Sequence, residues 1–231
     1  MAGAAVEELD VTTKRQRNQR GEGAKLKHEL VEAAMRILDR EPGAQLSLRM
    51  VAKEAGVAAP SVYRHFPDAR AMMTEIVSEC WTQMGDRMAE AAQAVTSGAP
   101  MAVLKAQISA YVHYAMERPS RYQLLFALSS GVEHDLEGPL RPAYRPVLES
   151  IEAIAKGGTP LPAADCAATA LLTLSIAHGR IALAHLSPGR EGNNADGVKA
   201  FALDTLDILF RSAPLAHASA TPGLAPEIRS S

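Results

Sequence analysis

From about residue 25 to residue 211 the apolar side chains recur at three- and four-residue intervals, and glycine and proline interrupt them. That rhythm restricts the chain to a set of packed helices. Leu26, Leu30, Ala33 and Ile37 form the first stripe, which Pro42 and Gly43 close. Strands are disfavoured on composition too, since only 4% of the 231 residues are aromatic whereas alanine is abundant. With 47% apolar and 22% charged residues the chain can bury a core. The expected fold class is all-α.

Ser47 is placed to cap a short helix reaching Ala55, and Gly56 to close it in the left-handed conformation. Pro60 fits the first turn of another short helix ending near Phe66 and Pro67. A longer helix followed by two short ones across a glycine turn is a helix-turn-helix arrangement. Asp68 caps a long helix with Met73, Ile76, Val77, Cys80, Met84 and Met88 on one face, up to the break at Ser97, Gly98 and Pro100. Further helices are expected over about 101–117, 122–129, 139–155, 163–186 and 195–211, with a loop at 131–139. The domain reading is a flexible basic arm (1–23), a helix-turn-helix domain (24–70), a larger helical domain (71–213) and a disordered tail (214–231).

The net charge of -2 conceals an asymmetry. Residues 14–70 carry twelve Lys and Arg against seven acids, while residues 71–231 carry twelve against sixteen. One basic end and a separate acidic body suit contact with a polyanion, although a solvated charged face gives the same count. Two cysteines, Cys80 and Cys166, offer neither a CxxC metal site nor a disulfide framework and suit a reducing cytoplasm. The acidic first ten residues do not read as a secretory signal, and the apolar run Cys166–Ala177 reads as too short to span a bilayer. No membrane partner is expected.

The segment LSLRMVAKEAGVAAPSVYRHFPDARAM, residues 46–72, carries the sharpest signal. It has Ser47 as hydroxyl cap, Arg49 early in the second helix, Ala55–Val57 at the turn and SVYRHF over Ser61–Phe66. In these features it resembles the DNA-binding domain of the TetR (tetracycline repressor) family. It departs from that pattern at Ala58, where a capping Ser or Thr usually stands, and at Ala69, where a lysine usually stands, with Arg70 as the neighbouring cation. An absent cap costs about 1 kcal/mol of local helix stability. Tyr111–Phe126 and the triplet Ala177–His178–Gly179 look more loosely like the C-terminal domain type that carries a Trp-His-Gly triplet, with Ala in the Trp position.

Side-chain chemistry assigns roles within this segment. Tyr63 and His65 can donate to phosphate oxygens, as can Ser47 at a helix N-terminus. Arg49, and after it Arg64, has the two-pronged donor geometry that reads guanine O6 and N7. Ala59, Pro60 and Ser61 open the recognition helix and suit a thymine methyl and one hydroxyl bond, and Arg70 suits phosphate. Both arginines read equally as ordinary surface cations. Lys14, Arg15, Arg17 and Arg20 of the arm reach the minor groove or phosphates, or else stay solvated.

In the larger domain Met73, Trp81, Met84, Met88, Met116, Tyr122 and Phe126 are candidates to wall a cavity for a small apolar effector, with His113 to orient a polar group. Each also reads as plain core. Leu171, Leu174, His178, Ile181 and His185 recur at helical spacing beside small residues and are assigned to a dimer interface; the alternative is an intramolecular core helix. His178 and His185 lie seven residues apart, too far to chelate one metal as a pair, so no metal and no cofactor are expected.

The resemblance implies a homodimeric repressor that binds an inverted-repeat operator on double-stranded DNA and leaves it when the effector binds. An adaptor without DNA binding is the second reading. An all-helical enzyme is the third, disfavoured because no nucleophile elbow, phosphate-binding loop or HExxH motif is present.

Overall fold

Four helices among the described residues start where a side chain accepts an orphan backbone N–H. Met50 N–H donates to Ser47 Oγ at 3.2 Å, Ala71 N–H to Asp68 Oδ1 at 2.7 Å, Ala168 N–H to Asp165 Oδ1 at 2.7 Å and Gly197 N–H to Asn194 Oδ1 at 2.8 Å. The computed structural model describes residues 22–41, 43–127, 138 and 140–213. These form nine helices and no strand: α1 (Glu22–Arg40), α2 (Leu48–Glu54), α3 (Ala59–Tyr63), α4 (Ala69–Gln93), α5 (Pro100–Glu117), α6 (Pro119–Ala127), α7 (Arg141–Lys156), α8 (Cys166–Leu186) and α9 (Ala195–Ser212). Residues 1–21 of the expected arm, the 131–137 loop segment and the 214–231 tail lie outside the described residues.

The all-α expectation holds. α1–α3 close around Leu30, Ile37, Val51, Val62 and Phe66, all buried. α4 is the spine, touching α1, α5, α6 and α7, while α8 packs on α5, α7 and α9. α6 reaches back to α1, a second link between the two ends of the molecule.

Some boundaries and faces differ from expectation. α1 starts at Glu22, inside the stretch assigned to the arm, and α6 starts at Pro119 because proline suits a first helical turn. On α4 the fully inward residue is Met72, and Met73 is half-buried at the reader end. The helix that holds the apolar run Cys166–Ala177 extends past His178 and Arg180 to Leu186. α8 therefore has the length and composition of a membrane span, but Ala170, Leu174, Ala177, Ile181 and Ala184 are used inside the bundle.

One close helix contact depends on a glycine. Pro146 has no N–H, so it leaves the Pro142 carbonyl without its helical donor. Gly85 of α4 lies against that carbonyl, where a Cβ would stand 2.8 Å from Pro142 Cβ. Gln107 Nε2 donates to the Pro146 carbonyl at 3.1 Å and Gln107 Oε1 accepts from Ser150 Oγ at 2.8 Å, fixing the kinked turn to α5. Gly85→Val should therefore lower stability by about 1–3 kcal/mol, the range for overpacking, read as urea midpoint. An unchanged midpoint would show that α4 and α7 can separate freely there.

Candidate nucleic-acid interface

The reader surface is built from the inside outward. Gly56, with φ of 65°, reverses the chain after α2, and Val57 N–H donates to the Ala52 carbonyl at 2.9 Å. Val62 and Phe66 then point α3 into the core. What remains outside is Pro60, Tyr63 and Arg64, with Ala59, Ser61 and His65 half-buried. Tyr63 is 50% exposed, unusual for a tyrosine with an apolar core so close. Ser47 and Arg49 are exposed at the start of α2, and Arg70 in the first turn of α4. Ser47 Oγ accepts from Met50, which leaves its O–H free to donate outward. Arg64 Nη2 donates to Ser61 Oγ at 3.1 Å. Ala58 provides no side-chain cap for α3.

Ion pairs thin the basic charge of this end. Arg40 and Arg36 meet Glu54 at 3.0 and 3.5 Å, and Lys27 meets Glu75 at 2.7 Å. The hydrogen bonds from Arg40 hold the Glu54 carboxyl below its ordinary range. Arg49, Lys53 and Arg70 have no ion-pair partner among the described residues.

In the larger domain α5, α6 and α8 bring together a polar line inside an aromatic cluster. Tyr111 Oη lies 3.0 Å from Tyr122 Oη, which lies 2.6 Å from His178 Nδ1. Burial pushes both phenols up and holds the His178 imidazole below its ordinary value, with His185 adding to the latter. Both phenols therefore keep their protons and the imidazole is neutral, its tautomer setting the direction of the Tyr122–His178 bond. Phe126 packs on the His178 ring with centroids 3.9 Å apart, and Trp81 meets Phe126 edge-on at 5.7 Å. His185 hydrogen-bonds the Ala115 backbone, and its buried Nε2 has no partner among the described residues.

Thus Trp81, Tyr122 and Phe126, three of the residues named as candidates to wall a cavity, come together, joined by His178, which the sequence reading placed at a dimer interface. Met84 and Met88 are buried and Met116 half-buried. His113 points to solvent, 3.2 Å from Glu117, so its orienting role toward an interior ligand is corrected. It borders an open groove of about 540 Å³ instead, with Arg87, Glu90 and Lys199.

The proposed dimer stripe also changes. Leu174 and Ile181 are buried within the single chain, His178 is bonded to Tyr122 and His185 lies beside the same ring, so these four side chains are already used. Only Leu171 of the five is exposed. The apolar side chains left on the surface of α8 and α9 are Leu171, Leu183, Leu186, Phe201 and Ile208, with Leu183 62% and Phe201 49% exposed.

The two ends of the molecule meet at Arg121 of α6, which is 5% exposed. Its Nε donates to Asp39 Oδ1 of α1 at 2.8 Å, its Nη2 to Asp39 Oδ2, and its Nη1 to Gln83 Oε1 of α4 at 3.1 Å. Burial opposes its charge, but the Asp39 bonds outweigh that and keep the guanidinium protonated. Sequence reasoning missed this clasp because its partners lie 82 residues apart.

Family models match both ends. The one described as bacterial regulatory proteins, tetR family, covers residues 30–76, and the one described as tetracyclin repressor-like, C-terminal domain, covers residues 104–206. The chain belongs to the TetR family. Its DNA-binding half is the helix-turn-helix of α1–α3, and its larger half is the helical domain of this family of transcriptional regulators. The Trp-His-Gly type stays a resemblance carried by Ala177–Gly179. A solved Rhodococcus sp. RHA1 protein of unknown function has the same fold at 20% identity, with a TM-score of 0.67, over 85% of this chain and 99% of that one. A TetR-family transcriptional regulator from Pectobacterium atrosepticum aligns at 18% identity, with a TM-score of 0.62, over 84% and 96%. The regulator RolR, solved with resorcinol bound, aligns at 13% identity, with a TM-score of 0.59, over 86% and 93%.

The depressed imidazoles give this TetR protein a pH signature. Unfolded, His178 and His185 take up a proton near about pH 6.5; folded, both resist it. The unfolded state binds more protons as the pH falls, so stability present above about pH 6.5 is lost below it. The melting temperature should drop between pH 7.5 and 5.5, and a His178→Gln/His185→Gln double variant should flatten the drop. An equally steep drop in that variant would assign it to other groups.

Proposed function

We propose that this protein is a homodimeric repressor, released from an inverted-repeat DNA operator by a small, largely apolar effector. The observation that carries the reading is an exposed Tyr63–Arg64 and Ser47–Arg49 surface mounted on a helix pair whose inner face is fully buried. Tyr63, His65, Ser47 and Arg70 contact phosphates; Arg49 and Arg64 reach base edges, with Ala59, Pro60 and Ser61 at the groove. Two such readers, related by a twofold axis, enter major grooves about 34–36 Å apart. The exposed leucines, Phe201 and Ile208 on α8 and α9 supply the self-complementary face. The protein acts in the cytoplasm by binding, without catalysing a reaction.

The effector site is the aromatic cluster. Phe126 and the His178 ring, now in contact with centroids 3.9 Å apart, would part to admit a flat ring beside Trp81, and a hydroxyl on it would satisfy His185 Nε2. RolR holds resorcinol, a ligand of this class. Displacing Tyr122 or Phe126 moves α6, and Arg121, the residue before Tyr122, carries that movement to Asp39 of α1. An effector that binds the moved form more tightly lowers DNA affinity by that difference.

Sites selected from a random duplex pool provide the test. Arg49→Ala should lose about 1–3 kcal/mol of preference at one base pair per half-site. Tyr63→Phe should weaken all sequences alike. Wild-type binding should fall steeply with salt, and a flat salt response with no selected palindrome would favour the adaptor reading. Leu183→Glu or Phe201→Glu should yield monomers by sedimentation, and dimers that persist in both would move the interface elsewhere.

A further inference from the structure

α1 and α4 enclose a charged recess of about 110 Å³, lined by Ala24, Lys27, His28, Val31, Glu75 and Glu79. Lys27 is already committed there, 2.7 Å from Glu75 and above the Phe66 ring. His28 and Glu32 remain, one turn apart on the same face of α1, together with Glu79 on α4. One donor atom from each of the three lies within 4.8 Å of the other two. No described cation neutralises Glu32 or Glu79.

A single amide holds the two carboxylates together. Gln83 Nε2 donates to Glu32 Oε1 at 3.2 Å and to Glu79 Oε1 at 3.0 Å. That amide is oriented from behind, because its Oε1 accepts from the buried Arg121. The second oxygen of each glutamate is left without a described partner. This arrangement has the form of an outer shell that positions ligands: an amide on one oxygen of each carboxylate, backed by a fixed guanidinium.

We propose that His28, Glu32 and Glu79 form a binding site for one divalent first-row transition ion, which pins α1 to α4. One imidazole nitrogen and two carboxylate oxygens suit zinc, manganese or ferrous iron better than magnesium, which takes oxygen donors alone. Donors about 2.0–2.2 Å from an ion stand roughly 3.3 Å from one another. The three side chains reach that spacing by small rotations in an open recess, and water fills the remaining position. His28 is exposed, so the ion enters from solvent. The ion joins the reader's first helix to the first helix of the larger domain. The site goes beyond the repressor reading, and its test uses no DNA.

The test is calorimetric titration of zinc chloride into untagged, chelator-stripped full-length protein, with melting temperature as a second readout. One ion per chain and a raised melting temperature are expected. His28→Ala and Glu79→Gln should each weaken binding at least tenfold and remove the thermal shift. Glu75→Gln, in the same recess but paired to Lys27, should keep both. Cobalt substitution should give a visible d–d spectrum without an intense thiolate band. No zinc binding at 100 µM overturns the proposal, as does binding undiminished in a His28→Ala/Glu79→Gln double variant. A thiolate band would place the ion at Cys80 or Cys166 and overturn it equally.

Discussion

The architecture turns on one buried cation. Arg121 stands almost fully out of water, and its charge is tolerable only because Asp39 and Gln83 converge on it from two other helices. Removing the carboxylate would leave the guanidinium buried without its counter-charge, whereas removing the guanidinium leaves Asp39, partly exposed, with Arg118 Nη1 at 3.5 Å. Three helices, α1, α4 and α6, meet at this point, so the reader's position is set by the sensor's own side chains rather than by a flexible hinge.

The adjoining residue, Tyr122, starts a second polar line in the opposite direction, through Tyr111 and His178. Hydroxyls and imidazole polarise one another in a low-dielectric interior. Around this line sit soft or flat side chains, Trp81, Phe126, Met84 and Met88, which can repack at modest cost. Under the proposed function, a rigid polar thread within an adaptable wall would combine selectivity for a hydroxylated ring with tolerance of its outline. Cys80 is buried on the inner face of α4, its thiol pushed up to about 11 by burial, and is unreactive there.

How much of this was legible in the sequence depended on range. The caps at Ser47 and Asp68, the Pro60 helix start and the Gly56 reversal are decided by neighbours within a few residues, and all are found where the spacing puts them. The face of α8 was not legible, because that helix is apolar nearly all round. Its period cannot say whether Leu174 and Ile181 meet their own chain or a partner. His178 went astray for the same reason: its partner Tyr122 lies 56 residues away. His113 shared a helix with true core residues, and only its rotation to the Glu117 side showed it to be outside. The Gly85–Pro142 contact and the Arg121–Asp39 pair leave no local trace at all.

The contact of Gly85 with the Pro142 carbonyl has a mechanical meaning. With no side chain between them, α4 and α7 touch backbone to backbone at one point, while α4 extends well beyond it toward the reader. In the proposed release from DNA that point would serve as a fulcrum. From Gly85 to the cap at Asp68 is about 25 Å of helix, so a tilt of about 5° would displace the far end by about 2 Å. A small disturbance near the aromatic rings would thus be geared up into a shift larger than a hydrogen bond in a DNA groove tolerates.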